Sequence, residues 1–269
     1  MKTLIYQFWD GVLTSGNKAG TEFMKEYAER IGSEYLFEHN ARFRTDLGKF
    51  SPHYGAFKPI FNKNFHEYDY ILFTDTDVVP VDGLTENIFD ELIGTDFDIG
   101  ICEEWNQPEQ REKYPGHISN AADNRWCDLI ESNWGCKMPR DEKNRPRVFN
   151  SGVVVYSKAG REKFRKVYIP FADYIRKMQS TNLASFYQGD QNYLNAILYR
   201  FKWKLMDYKW NSSVHYSVSQ RGGAHRPVTD LRNGRANFVH QQLSAADHYN
   251  KDTVWRVANL PVSEWKQHG

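Results

Sequence analysis

The chain has 269 residues, 40% of them hydrophobic and 15% aromatic, which suffices for a core in one large α/β domain or two small ones, while a mean hydropathy of −0.72 implies a very polar surface. A net charge of +1 leaves no electrostatic case for nucleic acid as a partner. The three cysteines, Cys102, Cys127 and Cys136, lack C-x-x-C spacing, so they argue against a disulfide framework or structural zinc and fit a reducing compartment, and no apolar run reaches membrane-spanning length.

Thr3 to Phe8 reads as a first strand, entered directly without a signal-peptide pattern, so a soluble, cytoplasmic protein is expected. A Gly/Ser/Asn loop follows over 10–17. Ala19 to Ile31 carries Phe23, Met24, Tyr27 and Ile31 at helical spacing, with Gly32 placed to stop it. Tyr35 to Phe37 resembles a second strand, and Phe57 to Phe65 a helix with Pro59 tolerated in its first turn. Tyr70 to Thr74 is an apolar strand that stops on Asp75-Thr76-Asp77. Leu84 to Leu92 predicts a short helix and Phe97 to Cys102 another strand.

Residues 105–147 change character, with Pro108, Pro115, Pro139 and Pro146 among scattered charges, and they are too long for an ordinary connection. Val148 to Tyr156 is again strand-like, interrupted by Asn150-Ser151-Gly152. Lys163 to Met178 suits one helix. Asp190 to Phe201 suits another, with Tyr193, Leu194, Ile197, Leu198 and Phe201 on one side and Asp190 as its N-cap. A Gly- and Arg-rich loop spans 219–235, and Ala236 to Val239 forms a last strand ending at His240. Strands alternating with helices imply a mostly parallel, Rossmann-like sheet with helices on both faces.

The most informative feature is the aspartate pair at the end of a buried strand. Open α/β sheets place ligands at that rim, and two carboxylates there supply hard oxygen ligands for Mn²⁺ or Mg²⁺, which can clamp a diphosphate. The same letters also fit two exposed acids in a turn, or the start of a haloacid-dehalogenase-type phosphatase with Asp75 as nucleophile and Asp77 as acid/base. That phosphatase needs a further acidic cluster, and no adjacent Asp-Asp pair occurs in the chain. Asn150-Ser151-Gly152 reads either as a β-bulge or as a place where a ligand approaches the backbone. Gly189-Asp190-Gln191 opens a helix, where polar ligands are also held. His240 is a reasonable third metal ligand, in competition with His215 and His225. Gly11 to Lys18 nearly spells a P-loop, but the lysine falls late and no Ser or Thr follows, so a glycine-rich phosphate loop is rejected.

In order, Asp75-Thr76-Asp77, then Phe149-Asn150-Ser151-Gly152, then Asp190-Gln191 with Asn195, then Trp210-Asn211 resemble the family 8 glycosyltransferases of GT-A fold, the group of glycogenin and the bacterial lipopolysaccharide galactosyl- and glucosyltransferases. The resemblance implies one GT-A domain over 1–269, with 105–147 as an acceptor-side insertion. It also implies a UDP-sugar donor, a carbohydrate or glycoconjugate acceptor, Mn²⁺ or Mg²⁺, and retention of configuration. Carried over, Asp75, Asp77 and His240 hold the metal, and Asp75 and Thr76 lie against the donor. Lys58 lies near its phosphates, Asn150 and Ser151 touch its sugar, and Asp190 and Gln191 stand on the reacting face. Tyr6, Phe8 and Trp9 belong to the loop that covers the uracil. The family's C-terminal H-x-x-G-x-x-K is replaced by His240-Gln-Gln-Leu243-Ser-Ala-Ala246, so its glycine and lysine are missing; Lys251, Arg221, Arg226, Arg232 or Arg235 would substitute. A non-catalytic carbohydrate-binding protein is the other alternative, with Trp105, Trp126 and Trp134 stacking on sugar rings.

Overall fold

A strand buried on both faces is mostly apolar, and four such runs form the centre of the fold: β1 (Thr3–Trp9), β3 (Tyr70–Thr74), β5 (Ile99–Glu103) and β6 (Phe149–Ser157). The computed structural model describes residues 1–103, 109, 111–112, 118–215, 229–230, 232, 235–241 and 250–265. With β2 (Glu34–His39) and β7 (Trp203–Met206), the four strands make a six-stranded sheet in the order β2-β1-β3-β6-β5-β7. Parallel pairing joins β1 to β2, β1 to β3 and β5 to β7, whereas β6 runs antiparallel to both neighbours. The sheet is thus mostly parallel, as expected, with one reversed strand.

Side-chain alternation divides the core between the two faces. Tyr6, Phe73, Ile101 and Val154 point to one face, where they meet Trp126, Phe164, Tyr174 and Tyr193. Ile5, Leu72, Val153 and Val155 point to the other, towards Met24, Tyr27, Trp210 and Phe238. Helices cover the first face: α2 (Lys58–Phe61), α3 (Asn120–Trp134), α4 (Lys158–Val167), α5 (Phe171–Gln179) and α6 (Asp190–Leu198). The second face is covered by α1 (Ser15–Arg30). Helix α6 is pinned through Tyr193, whose ring centroid lies 4.9 Å from that of Phe171 and 5.2 Å from that of Phe57. Such ring pairs contribute about 0.5–1.5 kcal/mol beyond area burial.

A smaller sheet lies across the end of β3, in the order β4 (Val78–Pro80), β10 (Phe238–His240), β8 (Ser212–His215), β9 (Thr229–Asp230). Antiparallel pairing sets His240 opposite Val78, one residue after Asp77. Two further helices, α7 (Lys251–Asn259) and α8 (Val262–Trp265), close the described chain, and α7 packs on α1. No helix among the described residues is long and apolar enough to cross a membrane.

Several expected elements differ, each for a local reason. The single helix expected over 163–178 is two, because Pro170 lacks an N–H and turns the residue before it away from helical geometry. The helix expected over 57–65 is a broken series of 3₁₀ and α turns from His53 to Phe65. That expected over 84–92 shrinks to one 3₁₀ turn, Ile88–Glu91. Helix α1 starts earlier, where the Thr14 side chain accepts a hydrogen bond from the Asn17 N–H. Asp190 is the first residue of α6 rather than its cap, which is Gly189.

Strand β6 is continuous, but its pairing with β5 slips. Ile101 faces Val154 and the next residue, Cys102, faces Asn150, so β6 bulges over Ser151–Val153. In the 105–147 stretch, α3 is capped by Ser119 and stopped by Gly135, whose φ of 67° favours glycine. Its Trp126 is fully buried and donates to the Tyr174 hydroxyl at 3.2 Å, and Trp134 packs on the Tyr174 ring. Trp126 is thus a core residue rather than a sugar platform, and Trp134 is partly buried against the same core; Trp105 lies outside the described residues.

Candidate active site

Strand β3 ends at buried Thr74, and the next three residues turn into β4 through a hydrogen bond from the Val78 N–H to the Asp75 carbonyl, 3.2 Å. The turn is clamped from several sides. The Asp75 N–H donates to the Gly152 carbonyl at 2.9 Å, and Gln7 Nε2 donates to the Asp75 carbonyl at 2.9 Å. Thr76 is buried, its Oγ1 donating to Asn17 Oδ1 at 2.9 Å. Helix α1 presses on the same peptide: a Cβ on Gly20 would stand 2.0 Å from the Thr76 carbonyl oxygen, so only glycine permits this approach. With the backbone held, the two carboxylates face a cavity of about 610 Å³, well within the range of small-ligand sites.

His240 enters from the small sheet. Its Nε2 lies 3.3 Å from Asp77 Oδ1 and 3.9 Å from Asp75 Oδ2, and one donor atom of each of the three residues falls within 4.8 Å of the others. The adjacent Gln241 locks this strand end, its N–H donating to the Asp77 carbonyl at 2.9 Å and its Nε2 to the Val254 carbonyl of α7 at 2.7 Å. Donors about 2.1 Å from one octahedral ion lie about 3 Å apart, so the separations suit a shared divalent cation with little closure. The donor set, two carboxylates and an imidazole, is also of the right hardness. Gly152 forms the floor: a Cβ there would stand 2.6 Å from His240 Cε1 and 2.9 Å from Asp75 Oδ2. The bulge, one of the two readings of Asn150-Ser151-Gly152, thus sits against the Asp75 and His240 side chains.

Electrostatics point the same way. The Asp75 carboxyl is pushed up to about 7, first by desolvation and then by the neighbouring Asp77, with His240 opposing. Its side chain is 40% exposed towards the open cavity, so the desolvation behind this shift is partial. Across the cavity, burial also raises Asp190, against the favourable influence of His53 and a 3.1 Å hydrogen bond from Ser151 Oγ.

Phe8, Trp9, Asp75, Thr76, Asp77, Ser151, Asp190 and Gln191 all line this cavity. Four other nominated residues do not: His240 is buried beside the two aspartates, and the remaining three are turned to other partners. Tyr6 is on the core side of β1, fully buried, and its hydroxyl donates to Glu38 Oε2 at 2.8 Å. It shares a strand face with Phe8, and its place two residues deeper in β1, among the core residues, keeps it from the cavity rim. Lys58 forms an ion pair with Glu38 at 2.7 Å, a partner that β2 supplies. Asn150 is 6% exposed, its amide oxygen accepting from the Gly152 N–H at 2.7 Å, so it stands behind the cavity wall. Arg232 is occupied too, bonded to Asp230 and to the last carbonyls of α7. Lys251 pairs with Glu22 and Glu26, and Arg235 is exposed. Arg221, Arg226, His225 and 243–246 lie outside the described residues.

Sequence reading missed His53, Phe186 and Asn17 on the cavity wall, and Gln7 behind it. Gln7 alone left a trace, as a polar residue within an apolar strand that the fold buries completely.

A mostly parallel sheet that offers an Asp-x-Asp turn to a cavity, with a histidine brought in from a second sheet, is the architecture of a GT-A glycosyltransferase. The family model of glycosyl transferase family 8 matches residues 57–249, and the chain belongs to that family. Solved structures share its fold. The LgtC galactosyltransferase in complex with donor and acceptor sugar analogs is 12% identical, with a TM-score of 0.52 over 95% of each chain. A glycosyltransferase involved in glycosylation of the major capsid of PBCV-1 is 13% identical, with a TM-score of 0.52 over 96% of this chain and 98% of the other. The bifunctional glycosyltransferase WbbM is 11% identical, with a TM-score of 0.54; 94% of this chain is covered, but only 47% of WbbM, so the chain spans about half of that protein. No curated protein sequence matches. The family sets the phosphatase alternative aside: the protein is a glycosyltransferase, which requires a sugar donor and an acceptor.

Proposed function

We propose that the chain transfers a hexose from a UDP-sugar to a carbohydrate or glycoconjugate acceptor, with retention of configuration, using Mn²⁺ or Mg²⁺ held by Asp75, Asp77 and His240. The observation that carries this reading is the convergence of donor atoms of those three side chains within 4.8 Å, two of them on the cavity wall. A cation bound there supplies neutralisation of the departing diphosphate, charge that grows as the sugar–phosphate bond loosens.

The protein's own groups have distinct tasks in this scheme. Phe8 and Trp9, at the end of β1, offer aromatic surface to the uracil, and Trp9 is steadied by its indole N–H donating to the Val12 carbonyl at 3.0 Å. Thr76 and Ser151 line the path between the nucleotide and Asp190. Asp190 accepts from sugar hydroxyls, and Gln191, beside it on the wall, faces the reacting carbon. Either residue is placed to stabilise positive charge on the sugar ring, and a front-face route, in which the leaving phosphate takes the acceptor's proton, keeps the same configuration.

The test is UDP release from a panel of UDP-sugars, with and without Mn²⁺. Wild-type protein should release UDP in a metal-dependent way, and Asp77→Ala should lower the rate roughly 1,000-fold, the equivalent of several kcal/mol of transition-state stabilisation, with little change in Tm. Undiminished, metal-independent release by the folded variant would remove the site assignment.

A further inference from the structure

Behind the cavity floor runs a chain of buried hydrogen bonds to which the transfer reaction itself assigns no role. It begins at the Gly152 N–H, which donates to Asn150 Oδ1 at 2.7 Å. The same oxygen accepts from Asn211 Nδ2 at 3.0 Å, and Asn211 Oδ1 lies 3.0 Å from His240 Nδ1. Asn150 and Asn211 are 6% and 1% exposed, so bulk water does not compete for these groups.

The direction of the chain follows from its first link. A backbone N–H can only donate, so the Asn150 atom facing Gly152 is the oxygen. An oxygen needs a donor opposite it, so the Asn211 atom facing Asn150 is the NH₂ group. The other end of Asn211 is then its carbonyl oxygen, which can only accept, and the imidazole nitrogen beside it must carry the hydrogen. Reversing every amide would set two donors face to face at Gly152.

We propose that Asn211 is a positioning residue that holds His240 as the Nδ1–H tautomer and so reserves the Nε2 lone pair for the divalent cation, an inference that rests on the metal reading of the Asp75–Asp77–His240 cluster. Which nitrogen of an imidazole binds a metal is set by the partner of the other, and an oriented partner also fixes the ring plane. Nε2 is the atom that stands 3.3 Å from Asp77 Oδ1. Gly152 ties the two ligand types together. Its carbonyl accepts from the Asp75 N–H, and its N–H starts the chain that ends on His240. A single residue of the β6 bulge thereby sets the carboxylate and the imidazole relative to each other. Asn150 acts through Asn211 rather than on the sugar.

The test is Mn²⁺ affinity, read from the electron paramagnetic resonance of the free ion, for wild type and Asn211→Leu, with folding checked by circular dichroism. Asn211→Leu should weaken binding about 10- to 100-fold, the usual consequence of removing the partner of a ligating histidine. Unchanged affinity in Asn211→Leu overturns the proposal. A second measurement needs no variant at Asn211: nitrogen NMR of ¹⁵N-histidine-labelled wild-type protein loaded with Cd²⁺, with His240 assigned by loss of its signal in His240→Gln. A proton on Nδ1 and cadmium coupling to Nε2 support the proposal; a proton on Nε2 or cadmium on Nδ1 overturns it. If wild-type protein bound neither ion, the metal-centre reading would fall together with this one, whereas indifference of Mn²⁺ binding to Asn211→Leu removes only the latter.

Discussion

The two ends of the cavity are built on different supports. At one end, Asp75 and Asp77 stand on peptide groups bonded to Gly152, Gln7 and Gln241, under a helix that touches the Thr76 carbonyl through Gly20. At the other, the Asp190 carboxylate meets the Ser151 hydroxyl at 3.1 Å, with the His53 ring 3.9 Å away. The first arrangement fixes donor atoms before any ligand arrives, as a small cation requires. The second leaves carboxylate lone pairs for hydroxyls that a sugar would bring. In the proposed scheme the first region is preorganised by backbone clamps from several segments, and the second, held by Ser151 and the start of its own helix, would be completed by substrate.

Four changes would break or sharpen this contrast. Asp190→Asn should lower kcat about 100- to 1,000-fold while leaving Mn²⁺ affinity untouched. An equal loss of metal affinity, seen by calorimetry, would mean that the two ends are one unit. Gly20→Ala forces a Cβ against the Thr76 carbonyl and should cost about 1–3 kcal/mol in urea unfolding, the range for overpacking. Wild-type stability in that variant would show the Asp-x-Asp turn to be compliant rather than clamped.

The third change concerns pH. The folded Asp75 carboxyl titrates near 7 and the unfolded one near 3.8, so between these values the folded state holds a proton that the unfolded state has lost. Stability of the metal-free protein contributed through Asp75 therefore falls as pH rises across that window. Asp75→Asn removes the penalty and should raise the metal-free Tm by about 2–4 °C at pH 8 and not at pH 4, the modest size reflecting screening at a partly open carboxylate. A Tm gain equal at both pH values would disprove the desolvation account. The smallest effect is expected from Tyr6→Phe, which loses the hydrogen bond to Glu38 for about 1 kcal/mol and should leave the donor KM unchanged. A raised KM would return Tyr6 to the ligand side.

How much of this was legible depends on how far each signal travels along the chain. Strand β3 and its aspartates could be read because a doubly buried strand is mostly apolar and must stop where polar ligands begin. Asn150-Ser151-Gly152 was visible as an interruption, but its meaning required β5, whose slipped pairing lifts those residues toward His240. Pro170 marks the split of the 163–178 segment in the sequence itself, although the apolar spacing on either side reads as one helix. The ion pair that takes Lys58 from the cavity was not legible, since Glu38 belongs to a strand whose register against β1 is set by pairing alone.

The amino-acid sequence by itself determined five of the six strands of the main sheet, the carboxylate pair at a strand end and the family, because periodicity and neighbouring residue types are local properties; β4, β7, β8, α3 and α7 left no such signal. Only the tertiary structure decided which polar side chains face the cavity. It brought His240 beside residues far earlier in the chain through the pairing of β10 with β4, and it turned Asn150 and Lys58 to partners behind the wall. A side chain's direction depends on strand register and on which buried donors must find acceptors, and both are settled only when distant segments pack.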